Sequence, residues 1–179
     1  PAPGDGYARM AEPTALWPCV YMDLCNLQTA EVDPALYRLG KDTVEYTLSL
    51  HDPEDAMYTM EMSPWPRILA AMGDGAGLVR NIVGQLRCAN AAKEHCYYRE
   101  NGSRAPYANR LTAREGINAM SAQRLGNAAA GLQMGLLQSS GGAPGLPGVI
   151  RLFPAWSREH NAEFELYARG GFKVRARIE

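Results

Sequence analysis

An alternation near the C-terminus constrains the fold more than any other feature of this chain. Phe164, Leu166 and Ala168 alternate with polar neighbours, and so do Phe172, Val174, Ala176 and Ile178. A period of two gives each segment one apolar and one polar face, the mark of a half-buried strand. Gly170-Gly171 lies between them and marks a hairpin turn. Register then fixes the loop. A two-residue Gly170-Gly171 loop would set Leu166 opposite Arg175 and mix the faces. A three-residue loop, Arg169-Gly170-Gly171, pairs Ala168 with Phe172, Leu166 with Val174 and Phe164 with Ala176. It also sets Glu165 opposite Arg175 and Glu163 opposite Arg177, so apolar matching and charge matching choose the same register.

A lone hairpin cannot bury one apolar face by itself. Val149–Phe153 reads as one more short strand, and no further convincing strand is found upstream. The expectation is therefore a sheet completed by another segment or by a companion polypeptide. Residues 139–148, with four glycines and two prolines, read as a linker at a change of structural class. The chain divides into a helical region, 1–138, and a β segment, 149–179.

Upstream, residues 1–31 read as irregular. Asp33-Pro34 is a helix start, an N-cap aspartate before a first-turn proline, and predicts a helix over 34–50 that His51-Asp52-Pro53 ends. Ser63-Pro64-Trp65-Pro66 opens a shorter one to Met72; Gly73 closes it and Asp74 caps the next. Leu78, Val79, Ile82, Val83 and Leu86 form an amphipathic stripe on a helix expected to reach about Tyr98. Residues 99–111 read as loop, and Thr112 with Glu115 as a capping box. A buried helix is expected over 120–138, with Gly126, Gly131 and Gly135 packed against other backbone.

Charge excludes little. The net charge of −1 gives no general attraction to nucleic acid, although residues 1–100 carry 14 acids and 8 bases while 101–179 carry 5 and 10. The bases are scattered, as on a solvated face. No apolar run is long enough to span a membrane. Cys19, Cys25, Cys88 and Cys96 form no CxxC pair and no metal-ligand spacing, and no cofactor is implied. Their even number permits two disulfides, and Asn101-Gly102-Ser103 is a glycosylation sequon. Together these point to an extracytoplasmic or secreted protein. The start at Pro1 reads as that of a processed chain.

Three words of the tail carry a resemblance: Gly135-Leu136-Leu137-Gln138-Ser139, then Val149-Ile150-Arg151-Leu152-Phe153-Pro154-Ala155-Trp156, then Tyr167-Ala168-Arg169-Gly170-Gly171-Phe172-Lys173-Val174. They resemble the C-terminal signature of family 95 glycoside hydrolases, the α-L-fucosidase and α-L-galactosidase type. The resemblance implies the end of an (α/α)6-type helical barrel followed by a β-hairpin of a β-sandwich completed elsewhere. It implies an inverting hydrolase, with a glutamic acid protonating the leaving oxygen and an aspartate, aided by asparagines, activating water. The family's base lies in a Q-I-D-G-N-F-G word just before the final helix. Here the nearest word is Gln123-Arg124-Leu125-Gly126-Asn127-Ala128, with Leu125 in the aspartate's place. A variant "G-I-E-N" word would map to Gly116-Ile117-Asn118, where asparagine again replaces the acid.

The candidate catalytic residues are thus Glu115, Asn118 and Asn127. Glu115 reads first as capping partner of Thr112 and second as a base; the asparagines read as helix-end or turn residues, or as water-orienting groups. Trp156 and Tyr107 read as core aromatics or sugar-stacking faces, and His160 as a solvent-facing loop residue. Two functions follow: a fragment or subunit of a glycoside hydrolase that needs a partner chain for catalysis, or a non-catalytic sugar-binding or structural subunit derived from one. An unrelated helical interaction module is the third reading, and it leaves the tail unexplained.

Overall fold

The computed structural model describes residues 16–22, 24–49, 64–87, 122–139 and 148–179. Over these the chain is mainly helical, with two small antiparallel two-stranded sheets. The helices are α1 (Trp17–Tyr21), α2 (Leu27–Val32), α3 (Pro34–Ser49), α4 (Trp65–Ala71), α5 (Gly75–Arg87) and α6 (Ala122–Leu136). The strands are β1 (Leu137–Gln138), β2 (Arg151–Leu152), β3 (Ala162–Ala168) and β4 (Phe172–Ile178). The continuation of α5 towards Tyr98, the 99–111 loop and the Thr112–Glu115 capping box lie outside the described residues.

Residues 16–22 and 24–32 are more regular than the prolines of the first segment suggest. Asn26 caps α2 through Oδ1, which accepts from the Gln28 and Thr29 amides at 2.8 and 3.2 Å. Thr29 Oγ1 accepts in return from the Asn26 amide at 3.1 Å. This reciprocal cap satisfies donors that a six-residue helix would otherwise leave open. The next cap is the expected one, Asp33 Oδ1 accepting from the Leu36 amide at 3.0 Å.

Between α4 and α5 the chain stops and restarts within three residues. The Asp74 amide donates to Leu69 O at 2.9 Å and the Gly73 amide to Ala70 O at 3.1 Å, the two bonds of a Schellman close. Gly73 sits at φ 73°, where a side chain is strained. Asp74 Oδ1 then accepts from the Gly77 amide at 2.8 Å and caps α5.

The main core gathers Trp65, Ile68, Leu69 and Ala70 of α4, Leu78 and Ile82 of α5, Val44 of α3, and Leu16, Cys19 and Cys25 from the first segment. Ala155 joins this cluster from the tail. The helix α6 lies against α4 at very short range: a methyl built on Gly131 would stand 2.5 Å from Pro66 Cβ and 2.6 Å from its carbonyl carbon. One on Gly135 would stand 2.6 Å from Leu78 Cδ2 and 2.9 Å from Ala155 O. Gly126 has nothing within 4 Å, so the expected close packing holds for two of the three glycines.

Helix α6 ends at Leu136 rather than running to residue 138. Leu137 and Gln138 turn into β1, which pairs with β2 as Leu137↔Leu152 and Gln138↔Arg151. The glycine- and proline-rich stretch thus joins two paired strands, and the chain supplies a strand that the sequence reading did not find. The strand expected over 149–153 shortens to Arg151–Leu152, because Phe153 turns to φ 52° and Pro154 has no amide to donate. The Phe153 amide bonds to Leu136 O at 2.7 Å and the Ala155 amide to Gly135 O at 3.2 Å.

The hairpin has the expected register throughout, from Ala168↔Phe172 to Ala162↔Ile178. Phe164 and Ala168 are buried against Leu137, with Leu136, Phe153, Leu166 and Val174 around them. The Phe153 and Phe164 rings meet edge to face at 5.2 Å between centroids. The ion pairs fall on the diagonal rather than straight across. Glu165 takes Lys173 at 2.6 Å and Glu163 takes Arg175 at 2.5 Å, while Arg177 pairs with Glu179. Twist between the strands offsets the long side chains and brings the diagonal neighbour, two residues along on the same face, within reach.

Candidate functional site

Where α1, α4, α6, β1 and the hairpin converge they leave a cleft of about 620 Å³. Each wall comes from a different segment, so its chemistry follows from how they meet. Tyr21 closes α1 and Arg67 lies in the first turn of α4, and the guanidinium carbon stands 5.2 Å from the Tyr21 ring centroid. That cation–π contact fixes a flat ring beside a cationic donor. Gln133 and Met134 come from the last turn of α6.

The floor is set by the α6–β1 junction. Gln138 is buried, and its Nε2 donates to Ala70 O at 2.7 Å, which ties β1 to α4. Ser139 Oγ accepts from the Arg169 amide at 3.0 Å, which ties the hairpin loop to the end of β1. The hairpin contributes Glu165, Tyr167 and Arg169. Tyr167 is 73% exposed, an aromatic face held by a strand and left open to solvent. Glu165 is held by Lys173.

The cleft therefore presents two aromatic rings, two guanidinium groups, a carboxylate, two amides and a hydroxyl. Such a set suits a polyhydroxylated ligand, with flat apolar rings for stacking and convergent donors and acceptors for hydroxyl groups. Among the described residues no group of three His, Cys, Asp or Glu side chains could hold a metal ion. No described helix is long and apolar enough to cross a membrane.

Of the candidate catalytic residues, Glu115 and Asn118 lie outside the described residues. Asn127 is on α6, 6% exposed, and is not among the cleft-lining residues. Leu125, in the place of the expected aspartate, is 42% exposed on the same helix and brings no proton acceptor. Trp156 donates through Nε1 to His160 O at 2.8 Å, which closes its own loop, and it does not line the cleft. Tyr107 lies outside the described residues. His160 is exposed, as expected.

Sequence reasoning missed Tyr21, Arg67, Tyr167 and Arg169 as a group, since they come from three distant stretches. The available signal was Tyr167-Ala168-Arg169 beside the turn, where alternation sends both polar side chains to one face. No family model, characterised protein or solved structure matches this chain.

Proposed function

We propose that this chain is the C-terminal part of a glycoside-hydrolase-like protein: the last helices of an (α/α)6-type barrel and a β-tail belonging to a sandwich. Its cleft binds carbohydrate, and hydrolysis needs residues from a companion polypeptide. The reading also places the protein outside the cytoplasm. One observation carries it. The three words of the resemblance meet in space, Leu137 pairing with Leu152, the Ala155 amide bonding to Gly135 O and the Arg169 amide to Ser139 Oγ, and two of them line the cleft.

A second reading, a sugar-binding subunit without catalysis, is favoured by Leu125, because an aliphatic side chain cannot act as a base.

Saturation-transfer NMR of the chain with L-fucose, L-galactose and D-glucose tests the binding. Transfer to one of these sugars is expected, with Tyr167→Ala weakening it about tenfold through the lost stacking face. Hydrolysis of an aryl α-L-fucoside by the chain alone would overturn the need for a companion, and absence of transfer to all three sugars would overturn the carbohydrate reading.

A further inference from the structure

The aromatic surface of the cleft continues beyond its rim. Trp17 and Tyr21 stand four residues apart on α1, so their side chains share one face of that helix. Tyr21 lines the cleft, whereas Trp17 lies one turn outside it. The two rings meet at 82° with centroids 5.8 Å apart. A perpendicular contact of this kind uses the edge of one ring and one face of the other. Tyr21 therefore leaves at least one face of Trp17 uncovered, and Trp17 is 39% exposed. The helix does not need that ring for its anchorage, because Leu16 and Cys19 already bury it in the main core.

From this arrangement we infer that Trp17 is a stacking site for a second sugar ring, one unit beyond the ring held in the cleft, and that the ligand is an oligosaccharide. The inference rests on the carbohydrate reading above and adds the ligand's length. Three observations support it. The cleft, at about 620 Å³, is larger than one sugar ring needs, since pockets of roughly 300–1,000 Å³ take ligands of drug size. The 5.8 Å step from Tyr21 to Trp17 is comparable to the step between neighbouring rings of a glycan. Outside the cleft a sugar's hydroxyl groups stay in water, so a flat apolar face is enough to hold its carbon–hydrogen face.

The rings are also set before a ligand arrives. Trp17 holds Tyr21 from one side, and the Arg67 guanidinium lies over the Tyr21 ring. Side chains already fixed by their neighbours lose little freedom on binding, which leaves more of the stacking contact to show as affinity.

Isothermal titration of the full chain tests it, with L-fucose, L-galactose and D-glucose and with trisaccharides carrying each of them at the non-reducing end. The sugar that binds alone should bind about tenfold more tightly as its trisaccharide, the gain of one stacked ring. Trp17→Ala should remove that gain while weakening the monosaccharide far less, and Trp17→Phe, which keeps a flat ring, should retain most of it. Tyr167→Ala, inside the cleft, should weaken both ligands together. A trisaccharide no tighter than its monosaccharide, a gain that survives Trp17→Ala, or equal weakening of both ligands by that variant overturns the second site and leaves the carbohydrate reading standing. Absence of binding by every sugar overturns both.

Discussion

At the α4–α6 crossing two backbones come together because one residue lacks a side chain; in the β3–β4 hairpin they come together because a turn and an alternation leave no better choice. The crossing depends on contacts between residues far apart in sequence: Gly131 lies against Pro66, whose neighbour Trp65 is 0% exposed, and further along the same helix Gly135 lies against Leu78 and Ala155. The hairpin depends on contacts within a stretch of 17 residues, Ala162–Ile178, and most of its side chains remain partly in water. The first kind of region resists any change of volume. The second tolerates surface change and is sensitive mainly at its turn.

Removal of Trp65 is the strongest way to break the contrast. Trp65→Ala should cost about 3–5 kcal/mol, since it empties a fully buried aromatic site that cannot readily collapse. Urea unfolding followed by circular dichroism measures it. A loss no larger than that from a surface hairpin substitution would mean the crossing is not the centre of the core.

The glycines of α6 sharpen the contrast inside one helix. Gly131→Ala gains helix propensity of about 1 kcal/mol but drives a methyl into the backbone of Pro66, and overpacking of this kind costs about 1–3 kcal/mol. Gly126→Ala meets nothing within 4 Å and keeps the whole propensity gain. Thermal unfolding should show opposite signs, destabilised at 131 and stabilised at 126. The same sign at both positions would mean that α6 does not sit against α4 as described.

At the turn, Gly170 has φ 87° and Gly171 φ 79°. Alanine at 170 should cost about 1–2 kcal/mol from left-handed backbone strain, and the built methyl at 2.9 Å from the Phe172 ring adds to it. Hydrogen exchange of the β3–β4 amides reads this locally. Faster exchange confined to the hairpin supports its independence, whereas loss spread into α4 would show that the two regions unfold together.

The contrast also explains what was legible in the sequence. The hairpin register was readable because period-two alternation and charge pairing are local and agree. The α3, α4 and α5 starts were readable from Asp33, Pro66 and Asp74 for the same reason. The Asn26–Thr29 cap is local too, but prolines at 13 and 18 hid it by suggesting loop. Strand β1 was not readable: Leu137 and Gln138 continue a helical pattern, and only pairing with Arg151–Leu152 makes them extended. The cleft was the least legible part. Tyr21, Arg67 and Arg169 share no motif, and only the packing of α1, α4 and the hairpin brings them together.

The smallest expected effect concerns the hairpin's charges, and it separates register from contact. The sequence sets Glu163 opposite Arg177, and the backbone obeys, yet the carboxylate reaches Arg175 while Arg177 turns to Glu179. A double-mutant cycle with Glu163→Ala and Arg175→Ala should give a coupling of about 0.2–1 kcal/mol, and one with Glu163→Ala and Arg177→Ala should give less. Both partners of the diagonal pair are largely solvated, so the coupling should shrink as salt is raised from low ionic strength. A larger coupling for the directly opposite pair would mean that the strands are flatter in solution than here, because it is their twist that brings the arginine two residues along within reach.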